Sequence, residues 1–207
     1  MVRKYFIFSS ILFFLLVVSS GCTNSSDKKA TISVNFDSEY VNTFKELNLG
    51  ILFDFDFKLP NADKSWVNFW VERYDSGKKE SQPLTQLSYG NSPNEVDEGH
   101  MGFGMINLNS EDTLVFLYGP SASTQPSIIE KESKTEIFSS WDYAIGDEEV
   151  ELELGETKIL AAYRETENNS ISTVDLQDEE SINRMIQQDS MVLLLKVKIE
   201  QKEVNSN

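Results

Sequence analysis

The chain is expected to fold as a mostly β protein, an antiparallel β-sandwich with one or two short helices. Three observations lead there. Apolar and polar residues alternate strictly over several short stretches, most cleanly from Ile51 to Leu59. Turn residues break those stretches at short intervals, as in Pro60-Asn-Ala-Asp63 and Asp75-Ser-Gly77. Alternating strand–helix units are absent, which excludes a doubly wound fold and the two-lobed fold of a solute receptor.

Residues 31–200 read as a single domain. Thr31 to Phe36 alternates and forms a first strand. Ser38 to Asn48 fits a helical face through Val41, Phe44 and Leu47, capped by Asp37 or Ser38 and stopped by Gly50; a loop fits it equally. In the next stretch Ile51, Phe53, Phe55, Phe57 and Leu59 share one face, and Asp54, Asp56 and Lys58 share the other. That period of two marks a half-buried antiparallel strand. From Ser65 to Tyr74, Val67, Phe69 and Val71 alternate with Trp66, Asn68, Trp70, Glu72 and Tyr74. These two strands are expected to pair and to supply much of the core.

Shorter strands follow at Pro83–Tyr89, His100–Leu108 and Thr113–Tyr118, with a polar loop from Gly90 to Gly99. Gly119 to Thr135 is polar, holds two prolines and reads as one long loop. A strand region begins at Trp141. Beyond it Val150, Leu152 and Leu154 are expected inside, with Glu149, Glu151 and Glu153 outside. Ile159–Tyr163 is a further strand. Asp178 caps a short amphipathic helix that carries Ile182, Met185 and Ile186. Met191–Ile199 is a long apolar strand, and residues 201–207 form a polar tail.

Asp and Glu number 34 against 18 Lys and Arg, so the formal charge is −16. Nucleic acid and anionic lipid head groups repel such a chain, which excludes nucleic-acid binding. Cys22 is the one cysteine, so no disulfide can staple the domain and its stability must come from packing.

The first residues give an address. Arg3 and Lys4 precede an apolar block from Tyr5 to Val18, followed by Ser19, Ser20, Gly21 and Cys22. Charge, apolar core and small residues in that order make an export signal, and the block is shorter than the ~20 residues of a spanning helix. Val18-Ser-Ser-Gly-Cys22 resembles the lipobox of bacterial lipoproteins, with Ser19 standing where Leu, Val or Ile is usual. The resemblance implies removal of residues 1–21 and a diacylglyceryl group on the Cys22 sulfur. Two acyl chains hold a protein stably at a membrane. Residues 22–30 would then be the lipidated cysteine and a flexible spacer, of which the eight residues after Cys22 reach at most about 28 Å.

Candidate sites are few. Trp66, Trp70 and Tyr74 share one strand face and are the candidate ligand-binding residues, a platform on which a sugar or peptide stacks. The same spacing suits the second buried face of a central strand, and that protected arrangement is expected. Asp54 with Asp56, and Glu149 with Glu151 and Glu153, read as solvated faces. His100, the single histidine, reads as an ordinary surface or turn residue, and no Gly-x-Ser-x-Gly elbow accompanies it. Gly102-Phe-Gly104 lacks the third glycine of a phosphate loop, because Asn107 stands there. Glycines in a strand admit close backbone approach or a bulge. No catalytic residue, cofactor or metal ligand set is expected. The function read here is a membrane-anchored extracytoplasmic lipoprotein acting as a non-enzymatic binding module. A cell-envelope hydrolase using paired carboxylates is the alternative. Cys22→Ser is expected to abolish lipid labelling and to release the domain from the membrane fraction; a variant that resists a carbonate wash would point to a spanning leader instead.

Overall fold

The computed structural model describes residues 29–108, 112–130, 137–168 and 170–201. The leader, Cys22 and nearly all of the spacer lie outside the described residues, as do residues 202–207. Among the described residues the chain is mostly β, with two antiparallel sheets and two helices. The first sheet runs in the order β10 (Val150–Leu152), β1 (Ala30–Val34), β2 (Gly50–Pro60), β6 (Val96–Ile106), β7 (Asp112–Tyr118) and β8 (Ser127–Glu130). The second runs β4 (Lys78–Lys79), β3 (Ser65–Asp75), β12 (Met191–Gln201), β11 (Thr157–Thr166) and β9 (Phe138–Tyr143), and β5 (Thr85–Gly90) also pairs with β3. Helix α1 spans Glu39–Glu46 and α2 spans Glu179–Gln188.

The alternation in β2 becomes the core. Phe53, Phe55, Phe57 and Leu59 point inward beside Met101, Phe103 and Met105 of β6. Val67, Phe69 and Val71 of β3 and Leu193, Leu195, Val197 and Ile199 of β12 answer from the other sheet, and each of these side chains is 2% exposed or less. Burying one such side chain is worth about 1.5–3 kcal/mol.

The expected pairing of β2 with β3 is not what forms. β2 lies between β1 and β6, while β3 lies between β12 and β5. The turn at residues 61–64, with Asn61 at φ 57, carries the chain from one sheet to the other. As a hairpin, the two strands would set their apolar faces side by side and leave both needing cover. In opposite sheets the faces cover each other.

Other expectations shift at their edges. Of the two readings of Ser38–Asn48 the helix forms, over Glu39–Glu46: the Ser38 hydroxyl accepts from the Val41 N–H at 3.1 Å, and Asn48, at φ 50, turns the chain before the expected stop at Gly50. β6 begins at Val96, inside the expected Gly90–Gly99 loop, and β8 lies inside the expected long loop. Leu154, expected inside, is 55% exposed because β10 ends at Leu152.

Each helix covers the outer face of a sheet. Asp178 caps α2, and Ile182, Met185 and Ile186 pack on Ala162, Val192 and Leu194. This explains why Met191 to Leu195 is apolar without alternation: the strand is buried on both faces there. Arg164 meets Asp189 at 3.2 Å and donates to the Ser172 carbonyl, which fixes the approach to α2. Among the described residues, no helix is long and apolar enough to cross a membrane.

Glu72 ties three strands on the outer face of the second sheet. Lys196 of β12 reaches it at 2.8 Å and Lys79 of β4 at 2.7 Å, while Tyr74 and Trp70 of its own strand donate at 2.8 and 3.2 Å. Burial pushes its carboxyl up, but the hydrogen bonds from Lys196, Lys79 and Tyr74 outweigh burial and hold it at about 2. An unfolded glutamate titrates near 4.5. A depressed folded value contributes stability that is present above the unfolded value and is lost as pH falls towards the folded one. Urea titrations are therefore expected to show wild type losing about 1–2 kcal/mol between roughly pH 4.5 and 2 from this group, after solvent screening of the partly exposed Lys79. In Glu72→Gln that component should be missing; an identical pH slope in both proteins would refute the assignment.

Candidate functional site

Two rows of residues cross the outer face of the first sheet. Asp54, Gly102 and Tyr118 sit opposite one another on β2, β6 and β7, and Leu52, Gly104 and Phe116 form the next row. The Tyr118 hydroxyl donates to Asp54 Oδ1 at 2.7 Å, across the intervening strand. Two strand spacings come to about 9.6 Å, a gap that a tyrosine spans only by lying down along the sheet. Gly102 makes this possible, since a Cβ there would collide with the Tyr118 ring and the Phe53 carbonyl. Phe116 lies over Gly104 in the same way. The glycine pair thus admits close approach, by side chains of the next strand.

His100 completes the cluster. Its Nδ1 lies 2.9 Å from Asp54 Oδ2 and 3.9 Å from Asp56 Oδ1. The Asp54 backbone N–H donates to the Tyr143 hydroxyl at 3.3 Å, and Tyr143 comes from β9 of the second sheet. Asp54 is fully buried with both carboxylate oxygens engaged. It is not on a solvated face, and His100 is not an ordinary surface residue. Burial, then the charge of Asp54, pushes the Tyr118 phenol far above its usual range. Burial raises Tyr143 as well. Both hydroxyls keep their protons at any physiological pH.

Helix α1 closes over this surface. Tyr40 and Phe44 are four residues apart and share a helix face. Tyr40 packs on His100 with ring centroids 4.7 Å apart and the planes tilted by 55°, and it stands at 84° to Tyr118 at 6.0 Å. Phe44 meets Phe116 at 6.2 Å. Between helix and sheet runs a groove of about 400 Å³. Tyr40, Thr43 and Phe44 form its helix side, Leu52, Phe116 and Tyr118 its sheet side, and Gly119 its end. None of these residues is charged. The groove can hold a flat or apolar group. Outside this lining, His100 lies against the Tyr40 ring and is oriented from behind by Asp54.

The residues singled out in the sequence lie on the opposite side of the molecule. Trp66, Trp70 and Tyr74 project from the outer face of β3 and are half-buried. The expected sealing is incomplete because α2 packs over only the Val192–Leu194 half of that sheet. Over the rest, Trp66 lies on Gly90, the Trp70 indole N–H is tied to Glu72, and long polar chains such as Lys196 and Glu200 share the surface. Glu149, Glu151 and Glu153 are exposed, and Lys29 bridges Glu151 and Glu153 at 2.9 and 2.5 Å. Among the described residues, no three His, Cys, Asp or Glu side chains gather to hold a metal ion. Cys22 lies outside the described residues. Sequence reasoning passed over Tyr40, Phe44, Phe116 and Tyr118 as site residues. The signal was there in matched spacing: two glycines two apart on one strand and two aromatic residues two apart on the next.

The YgaN domain family matches residues 51–199. Over 70 residues, 34% of this chain, the sequence is 33% identical to protein nucleotidyltransferase YdiU of Clostridium botulinum (strain Eklund 17B / Type B). That stretch covers 14% of the relative, too little to carry its activity across. No solved structure matches the chain.

From Ile51 to Phe55, β2 is buried on both faces, so two substitutions on opposite faces there should cost alike. Phe55→Ala is expected to lose about 3–5 kcal/mol by opening a core cavity. Asp54→Ala is expected to lose a similar ~3–5 kcal/mol by stranding His100 and the Tyr118 hydroxyl. Chemical denaturation measures both; a loss below ~0.5 kcal/mol at Asp54 would mean that its side chain is solvated.

Proposed function

The chain belongs to the YgaN domain family, and from that footing we propose that it is a lipid-anchored, extracytoplasmic protein whose domain works as a non-enzymatic binding module. The anchor is Cys22, and the spacer keeps the domain close to the membrane that holds it. One observation carries the binding reading: the groove between α1 and the first sheet is walled by Tyr40, Phe44, Phe116 and Tyr118, the last two bedded on Gly104 and Gly102. Binding sites are commonly concave and apolar with a few placed polar groups, here the hydroxyls of Tyr40 and Thr43. The half-buried Trp66 and Trp70 are a second, flatter contact surface on the far sheet.

The hydrolase alternative needs two carboxylates open to substrate. Asp54 is buried on the outer face of its sheet with both oxygens occupied, so Asp56 alone of the pair reaches solvent, which weighs against paired-carboxylate chemistry. A His–Asp pair remains, and it gives the alternative a definite test. The full-length protein is incubated with purified cell-wall polymer, and both retention and soluble fragments are measured. Retention without fragments is expected, weakened at least about tenfold by Tyr40→Leu, which removes a wall of the groove while touching an exposed position. Fragment release that disappears in His100→Ala would replace the binding reading with the hydrolytic one.

A further inference from the structure

We propose that the groove under α1 takes a quaternary ammonium group, as a small soluble organic cation; the inference rests on reading the protein as a binding module and names the chemistry of its ligand. Four aromatic rings line the groove. Tyr118 and Phe116 lie along the sheet as its floor, Tyr40 stands at 84° to Tyr118, and Phe44 is inclined at 42° to Phe116. Rings meeting at such angles turn several π faces and edges toward one small volume. A cation over a π face is held by the ring quadrupole, most strongly where water is excluded.

Three further features select a cation of this kind. The chain carries a formal charge of −16, which raises the concentration of cations at its surface, and no lysine or arginine lines the groove to compete for the rings. The Tyr118 hydroxyl donates to the buried Asp54 carboxylate at 2.7 Å. Donation to an anion pushes electron density into the ring and strengthens its attraction for positive charge. Finally, the lining has few acceptors, chiefly the Tyr40 and Thr43 hydroxyls and the Gly119 backbone. A primary ammonium or a guanidinium would enter with several N–H donors unmet, at a cost of the buried unsatisfied kind. An alkylated nitrogen has no donors to satisfy, and its methyl groups pack on the rings. A groove of about 400 Å³ has room for a trimethylammonium head and a short tail.

The test titrates choline into the full-length protein and follows the ring-proton NMR signals of Tyr40, Phe44 and Phe116. Dimethylbutanol, the uncharged carbon isostere of choline, is the control for shape. Choline is expected to bind at least about tenfold more tightly than the isostere. Tyr40→Leu should weaken choline at least about tenfold, while Tyr40→Phe, which keeps the ring, should stay within about threefold. Thermal melts of both variants check that the domain is folded. Equal affinity for choline and dimethylbutanol would overturn the cationic assignment and leave the groove as an apolar binding site. Ring-signal shifts caused by phosphatidylcholine vesicles and not by vesicles lacking the choline head group, without binding of free choline, would overturn the soluble-ligand assignment in favour of a lipid head group. If neither choline nor its isostere moves the ring signals, the groove inference fails, and the cell-wall retention experiment decides separately whether the protein is a binding module.

Discussion

A carboxylate sealed from water needs a partner on each oxygen, and the way this fold meets that demand at Asp54 governs most of what surrounds it. One oxygen takes the Tyr118 hydroxyl and the other faces His100. Those two bonds hold β2, β6 and β7 in register from their outer face. The backbone of the same residue is met by Tyr143 of the second sheet, so the cluster also clamps the two layers of the sandwich at one edge. His100 in turn seats Tyr40, and Tyr40 sets the position of α1. The groove is therefore a by-product of a satisfied buried charge: its floor is the tyrosine that satisfies Asp54, and its wall is the helix that keeps water away.

The second sheet solves the same kind of problem differently. Its outer face is half covered by α2, which buries Val192 and Leu194. The uncovered half carries Glu72, whose partners reach it from β3, β4 and β12. Asp54 is enclosed by aromatic groups, whereas Glu72 is met by lysines at the border with solvent. Aromatic rings laid over glycine recur here too, with Trp66 resting on Gly90. Both outer faces thus use a missing side chain on one strand to bed a ring from its neighbour.

Much of the architecture was legible in residue patterns. The alternation in Ile51–Leu59 and Ser65–Tyr74 identified inner faces that the sandwich buries almost completely, and Asp178 marked the start of α2. Partner choice was not legible, because β2 and β3 are sequence neighbours while their ladders are made with strands far along the chain. Periodicity reports which residues share a face, not which strand lies alongside. The burial of Asp54 was hidden for a related reason. An aspartate among alternating phenylalanines has the pattern of a solvated face, and only a covering helix and a tyrosine more than sixty positions away make it an interior residue. Leu52, apolar on that same face, was the local sign that the face is covered.

The two glycines of β6 carry an evolutionary consequence. Met101, Phe103 and Met105 point into a deep apolar core, where another hydrophobic residue of similar volume is generally tolerated. Gly102 and Gly104 have no such latitude, because the space above each is already filled by a ring from β7. Even alanine at 102 would displace Tyr118 and with it the partner of Asp54. Positions 54, 102 and 118 can therefore drift only together. In diverging copies of this domain, the most constrained part of the strand would be the two residues that contribute no side chain at all.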